Sequence, residues 1–172
     1  YQMLASPQAA AAFDITKEPE DLRQQYGMNT WGQSCLLARR LAEANVPVIN
    51  IYCNTPLSGD EHTNWDDHPG NAGRPGHFAK YMRTRLPYLD QCLSALINDI
   101  YHRNLQRKIM VCVVGEFGRT PRIRKGPPDN SVGRDHWPQA YTALVAGGGL
   151  RMGQVIGATN SRGEHPVQRP TS

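Results

Sequence analysis

Two nearly continuous runs of β-branched and other apolar residues constrain the fold more than any other feature. They occupy residues 46–52 and 109–114, and a shorter run covers residues 141–146. Runs of this kind, with few polar interruptions, are typical of strands buried on both faces, as in a parallel sheet covered by helices. The sequence therefore predicts a mostly parallel sheet at the core.

Two further segments have the apolar spacing of amphipathic helices, namely residues 32–44 and 86–103. The order helix, strand, loop, helix, strand, loop, strand favours right-handed crossovers with helices on both faces of the sheet. We expect an α/β fold with three layers, α/β/α, in residues 32–172. Residues 1–31 are predicted to be a connecting arm that wraps over the surface after a short alanine-rich helix.

The composition excludes several other classes of protein. The chain has 172 residues, of which 39% are hydrophobic and 20% charged, and no apolar run approaches the roughly 20 residues of a membrane span. The net charge of +4 comes from scattered arginines without interleaved aromatic residues, a pattern that argues against nucleic-acid binding. Four cysteines lie far apart without a C-x-x-C pair, which predicts small buried side chains rather than a zinc ribbon or disulfide framework. They are Cys35, Cys53, Cys92 and Cys112.

The first candidate site lies in a long polar loop, residues 54–77, beyond the first predicted strand. In sheets of this type ligands bind beyond the carboxyl ends of the strands. Asp66 and His68 are two residues apart, so a carboxylate and an imidazole converge on one cation if the loop is extended or turned. The alternative is an aspartate that caps a turn. His62 and His77 flank the loop and are predicted to face the surface or the substrate.

The second candidate site follows the strand predicted at residues 109–114. Glu116 stands where that buried strand ends, and a charge at such a place needs a counter-charge or a bound metal. A cation ligand is one interpretation, and an ion pair between Glu116 and Arg119 is the other. Gly115 and Gly118 fit either close approach of the backbone to a ligand or simple turn formation.

The third candidate site immediately precedes the last predicted strand. His136 is interpreted as a cation ligand that Asp135 orients, or the two residues form a proton relay. Because polar clusters recur at three strand ends, the sequence predicts one cation site. Its predicted ligands are Asp66, His68, Glu116 and His136.

Positive charge crowds the same region. The residues concerned are Arg119, Arg122, Arg124, Lys125 and Arg134. Such a cluster suits binding of a phosphate or sulfate ester, and loop solubility is the alternative. We assign Arg119 and Arg134 as candidate oxyanion clamps and Asp135 or His136 as the proton donor to the leaving group.

Six segments also carry a family resemblance. They are Leu36-Leu37-Ala38-Arg39-Arg40-Leu41, Trp65-Asp66-Asp67-His68, Leu86-Pro87-Tyr88-Leu89-Asp90, Gly115-Glu116-Phe117-Gly118-Arg119-Thr120-Pro121, Gly133-Arg134-Asp135-His136-Trp137-Pro138 and Ala146-Gly147-Gly148-Gly149. In this order they resemble an uncharacterised bacterial sulfatase-like family of the alkaline-phosphatase-like superfamily. The resemblance implies an alkaline-phosphatase-like fold and export to the periplasm or the medium. It also implies hydrolysis of anionic sulfate or phosphate esters, sulfated polysaccharides among them, with a divalent cation (Zn, Mn, Ca or Mg).

By this resemblance Asp66 and His68 take the place of a metal-binding Asp and His, Glu116 that of an acidic ligand, and His136 that of a later histidine. The chain departs from the superfamily pattern, which often has Asp-His where Glu116 and Phe117 stand. The superfamily's nucleophile comes from a strand and helix that would precede Tyr1, so residues 32–172 are expected to be the carboxy-terminal part of the domain. The alternative function is a non-catalytic, exported binding module for anionic polysaccharides.

Overall fold

The structure is a computed structural model that describes residues 7–54, 56, 65–69, 78–127 and 131–169. The chain forms two compact units. The first comprises Tyr1–Asn64 and Arg83–Ile109, and the second comprises Trp65–Met82 and Met110–Ser172.

Helices dominate the first part of the chain. They are α1 (Pro7–Ala12), a 3₁₀ turn (Ile15–Lys17), α2 (Glu20–Tyr26), α3 (Thr30–Glu43) and α4 (Phe78–His102). The alanine-rich helix is confirmed in α1, and the segment predicted to be a connecting arm includes the 3₁₀ turn and α2. Residues 1–6 lie outside the described part.

Helix α3 begins and ends at residues suited to those places. The Asn29 side chain accepts hydrogen bonds from the N–H groups of Trp31 and Gly32, both at 3.1 Å, as an N-cap does. After the helix, Asn45 adopts a left-handed conformation with φ 63°, which asparagine tolerates better than most residues. The helix predicted at residues 32–44 is confirmed, with its start two residues earlier.

Helix α4 is longer than the sequence predicts. The apolar stripe indicates a start at residue 86, but the helix begins at Phe78 and contains Pro87. Upstream of that proline the buried side chains include Tyr81 and Arg85, and apolar spacing does not reveal a buried arginine. Neither α4 nor any other helix in the described residues is long and apolar enough to cross a membrane.

The core of the first unit combines apolar side chains with a buried ionic network. Its apolar members include Tyr26, Trp31, Cys35, Leu36, Cys92, Leu96 and Ile100. Arg39 is only 2% exposed and forms ion pairs with Glu18 at 3.0 Å, with Asp99 at 2.9 Å and with Glu43. The Tyr26 hydroxyl donates to Asp99 at 2.9 Å. Buried charges are tolerated here because each has a partner of opposite sign.

The first predicted strand does not form. Residues 46–52 are irregular, and Val48 and Tyr52 are each 84% exposed. A β-branched run favours extended backbone, but a strand also needs a neighbour with which to form a ladder. Residues 46–54 have no such partner strand in the described part of the chain.

The second unit contains short strands. They are β1 (Met110–Val113), β2 (Gly118–Arg119), β3 (Arg124–Gly126), β4 (Ser131–Gly133), β5 (His136–Trp137), β6 (Leu144–Gly147), β7 (Ala158–Thr159) and β8 (Pro166–Gln168). They pair as β1–β6, β2–β5, β3–β4 and β7–β8, and each pair is antiparallel.

This topology overturns the predicted fold class. Two of the apolar runs do form strands, β1 and β6, but they pair with each other in antiparallel register, Met110 opposite Gly147. Among the described residues each sheet has two strands and parallel pairing is absent. The expected three-layer α/β/α fold of alkaline-phosphatase-like type is therefore wrong. An apolar run indicates a strand but not its direction, and Met110 and Val145 are exposed rather than covered on both faces.

The four cysteines are free thiols in different surroundings. Cys35 and Cys92 are buried, as predicted, and Cys53 is half-buried. Cys112, which lies on β1 opposite Val145, is exposed, so the prediction of burial was wrong for that residue.

Candidate metal centre

Three residues of the second unit bring potential metal ligands together. Asp66 and His68 lie on the loop of residues 65–69, and His136 lies on β5. One ligand atom from each, two imidazole nitrogens and a carboxylate oxygen, lie within 4.8 Å of one another. Asp66 and His136 are exposed and His68 is half-buried, so the cluster is open to solvent.

The Asp66 carboxylate is the centre of this cluster. Its Oδ1 lies 2.5 Å from Nε2 of His136, and its Oδ2 lies 3.5 Å from Nε2 of His68. The two imidazole rings meet edge to face, with centroids 5.2 Å apart. A single carboxylate thus contacts two imidazoles that come from segments about 70 residues apart in sequence.

Neighbouring groups orient both imidazoles. Nδ1 of His68 is 3.2 Å from the carbonyl oxygen of Pro69. Because a carbonyl only accepts, Nδ1 is the nitrogen that donates to Pro69, and Nε2 is the nitrogen that faces Asp66. The ring of Phe117 packs on that of His136 with centroids 4.3 Å apart. Such outer contacts fix the tautomer and ring position of metal-binding histidines.

The electrostatics of the cluster favour an ionised carboxylate. Partial burial works to raise the pKa of Asp66, but the hydrogen bond from His136 and the positive charges of His68, His136 and Arg119 outweigh it. The pKa of Asp66 is therefore held below its ordinary value. An anionic carboxylate between two imidazoles is a donor set for a divalent cation.

The β2–β5 ribbon places His136. In its register Arg119 lies opposite His136 and Gly118 opposite Trp137. The ribbon continues beyond the strands, because the N–H of Thr120 donates to the carbonyl of Asp135 at 2.9 Å. The Trp137 indole donates to the carbonyl of Glu164 at 2.8 Å, which ties β5 to the turn between β7 and β8.

Gly118 allows the backbone of β2 to lie close to the carbonyl oxygen of Ala140. A Cβ atom at this position would lie 1.9 Å from the carbonyl oxygen of Ala140, a separation no side chain tolerates. The sequence left open whether Gly115 and Gly118 serve ligand approach or a turn. The contact at Gly118 is with the chain itself, and at Gly115 the nearest atom to an added Cβ would be 3.6 Å away.

The two arginines predicted to clamp an oxyanion bind main-chain carbonyls. Arg119 donates through Nη2 to Trp65 at 2.6 Å and through Nη1 to Arg134 at 3.4 Å. Arg134 donates to the carbonyls of Thr120 and Arg119, the latter at 3.1 Å. These contacts hold the loops around the cluster, and the oxyanion role of both residues stays a prediction.

Asp135 has a partner that the sequence did not indicate. The Arg124 guanidinium holds its carboxylate with two nitrogens, one of them 2.7 Å away, in a bidentate pair between β3 and the residue before β5. These hydrogen bonds hold the pKa of Asp135 below its ordinary value. An ionised carboxylate has no proton to donate, so this pairing does not support Asp135 as the proton donor, and that role stays a prediction.

Glu116 does not join the other predicted ligands. It is exposed on the segment after β1 and is not one of the three residues whose ligand atoms converge. The alternative interpretation, an ion pair between Glu116 and Arg119, is not observed in the described residues either. Arg119 instead lies 3.6 Å from Oδ1 of Asp66. The loop predicted at residues 54–77 is described only at 54, 56 and 65–69, and His62 and His77 lie outside that part.

One family model matches residues 1–172, and its description is "Protein of unknown function (DUF1501)". The chain belongs to the DUF1501 family. No curated protein and no solved structure matches it. The match does not link the chain to sulfatase-like or alkaline-phosphatase-like proteins, so the resemblance inferred from the six motifs was wrong.

Proposed function

We propose that the chain is part of a metal-dependent hydrolase of sulfate or phosphate esters, in which Asp66, His68 and His136 hold a divalent cation. The observation that carries this proposal is the convergence of their three ligand atoms within 4.8 Å. Catalytic metal sites commonly have three protein ligands and keep a further position open. The solvent exposure of Asp66 and His136 supports such an open position.

The donor set favours some cations over others. Two imidazole nitrogens and one carboxylate suit Zn²⁺ or Mn²⁺, whereas Ca²⁺ and Mg²⁺ prefer oxygen ligands throughout. Ligand atoms bound tetrahedrally at about 2.1 Å lie roughly 3.4 Å apart, and His68 Nε2 is 3.5 Å from Asp66 Oδ2. Nε2 of His136 is in hydrogen-bond contact with Asp66, so we expect the cation to replace the proton that they share.

The charges near the cluster support an anionic substrate. The Arg119 guanidinium is about a quarter exposed beside Asp66, and Arg122 and Lys125 are exposed on the segment that follows. In hydrolysis the oxygen of water bonds to sulfur or phosphorus, the ester bond breaks, and the alcohol leaves with a proton. A divalent cation held at this site would neutralise part of the negative charge that develops on the ester oxygens.

A second candidate is an exported, non-catalytic binding module for anionic polysaccharides. The contacts of Arg134 and Asp135 favour it, since both residues predicted to act in chemistry bind other protein groups. In that function the cation has a structural role, and the exposed arginines bind the polymer. A periplasmic or secreted location is part of either proposal, and cell fractionation tests it.

Calorimetric titration with Zn²⁺ and Mn²⁺, together with assays on p-nitrophenyl sulfate and p-nitrophenyl phosphate, separates these functions. For the hydrolase we expect one cation per chain and turnover that requires it. Asp66→Asn should abolish both, whereas Asp90→Asn, at an exposed position of α4, should leave both unchanged. Cation binding without turnover of either ester would support the binding module. Absence of binding by the unaltered chain would refute the cation site itself.

A further inference from the structure

We infer that Arg119 is a positioning residue that assembles the cation site by holding its two ligand-bearing segments together. This inference rests on the proposed cation site and adds a residue that is not itself a ligand. The two segments are residues 65–69, with Asp66 and His68, and β5, with His136. They are distant in sequence, so some interaction must hold them in register for three ligands to converge.

The Arg119 guanidinium contacts both segments. Its Nη2 donates to the carbonyl of Trp65 at 2.6 Å, one residue before Asp66. Its Nη1 donates to the carbonyl of Arg134 at 3.4 Å, two residues before His136. A planar guanidinium with several donors in fixed directions suits a bridge between two carbonyl groups.

The backbone of Arg119 is held as firmly as its side chain. Arg119 lies opposite His136 in the β2–β5 ladder, and its carbonyl accepts a hydrogen bond from Arg134 at 3.1 Å. Its side chain is 24% exposed, whereas Arg122, three residues later, is exposed. Arg119 thus bridges the segments from a fixed position, while Arg122 provides a nearby arginine for comparison.

If Arg119 positions the ligands, its removal should weaken cation binding, whereas if its charge dominates, its removal should strengthen cation binding. Nη2 of Arg119 lies 3.6 Å from Oδ1 of Asp66, so its positive charge repels a cation bound by that carboxylate. If charge were its main influence, neutralising Arg119 would strengthen cation binding. If it positions the ligands, the same change weakens binding, because Asp66 and His68 are no longer held beside His136.

The test is calorimetric titration of the full chain with Zn²⁺, below the melting temperature of each variant. We expect Arg119→Gln to weaken binding about 10- to 100-fold, as loss of an outer contact typically does. Arg119→Lys keeps the charge but cannot bridge two carbonyls in the same plane, so we expect it to weaken binding as well. Arg122→Gln, the matched control, should change the affinity by less than about twofold because exposed charges are well screened.

Equal or tighter binding of Zn²⁺ by folded Arg119→Gln would overturn the positioning role. So would Arg119→Lys with the affinity of the unaltered chain, and this second variant decides the question if the first does not fold. A merely structural role predicts a lower melting temperature with an unchanged dissociation constant. If the unaltered chain binds no Zn²⁺, the proposed cation site fails first, and that outcome is distinct from a failure of the inference about Arg119.

Discussion

Arg119 and Arg134 each donate a hydrogen bond to the main-chain carbonyl of the other. The Arg119 Nη1 to Arg134 oxygen distance is 3.4 Å, and the Arg134 Nη2 to Arg119 oxygen distance is 3.1 Å. The exchange extends the two-residue ladder between β2 and β5, which alone would be marginal. Since His136 lies on β5, the reciprocal pair supports the strand that provides one of the three candidate ligands.

The first prediction concerns Gly118, the partner of Trp137 in this ladder. Gly118→Ala would put a Cβ atom 1.9 Å from the Ala140 carbonyl, so we expect β2 and β5 to separate and the affinity for Zn²⁺ to fall at least tenfold. Gly115→Ala is the matched control, because its Cβ would meet its nearest atom at 3.6 Å. Calorimetric titration of both variants with Zn²⁺ tests this prediction. Equal affinities would show that the geometry of the β2–β5 ribbon does not control the cation site.

The second prediction concerns Arg39 in the first unit. Replacing Arg39 with Met removes the arginine that Glu18 and Asp99 share, although Glu18 keeps Arg40 and Asp99 keeps Arg103. Loss of one member of a buried ion pair typically costs about 3–5 kcal/mol. Because these partners remain, we expect a loss near the lower end of that range in urea unfolding followed by helical circular dichroism. The exposed Arg107→Met control should stay within about 0.5 kcal/mol. A loss below about 1 kcal/mol at Arg39 would mean that the network contributes little.

The third prediction is a dependence of stability on pH through Glu18. Burial works to raise the pKa of this carboxyl, but hydrogen bonds from Arg39 and Arg40 outweigh it, and the pKa lies below its ordinary value. A depressed pKa in the folded state contributes stability above the pKa of the unfolded chain, about 4.3. That contribution is lost as the pH falls through the folded-state value.

Urea unfolding at pH values from 6 to 3 tests this. We expect the free energy of unfolding of the unaltered chain to fall with the pH. Glu18→Gln should be less stable at pH 6 and should show a shallower fall, because it lacks the titrating group. Parallel curves for the two proteins would mean that Glu18 does not contribute to acid sensitivity.

The sequence predicts local structure of this fold better than its topology. Apolar spacing locates α3 and most of α4, and apolar runs locate β1 and β6. The same runs do not encode which strands pair or in which direction, so the antiparallel contact of β1 with β6 was missed. Residues 46–52 have the composition of a strand but are irregular, and Val48 and Tyr52 are exposed, since local preference alone does not provide a partner strand.

The candidate site was predictable only in part, for a related reason. Asp66, His68 and His136 do lie together, although the sequence placed them at the edge of a parallel sheet that is not observed in the described residues. Glu116 was grouped with them because of that sheet edge, and it is exposed elsewhere on the segment after β1. The bidentate pair of Arg124 with Asp135 depends on the β3–β4 hairpin and on β5, and short antiparallel contacts of this kind leave little periodic signal.

The most direct test of the central claim is X-ray absorption at the zinc edge of the Zn²⁺-loaded full chain. We predict one zinc per chain with two imidazole nitrogens and carboxylate oxygen in its coordination shell, at about 2.0–2.1 Å. His68→Ala and His136→Ala should each remove one imidazole from that shell. A shell without imidazole, or one with sulfur from the free cysteines, would contradict the assignment of Asp66, His68 and His136 as the metal centre.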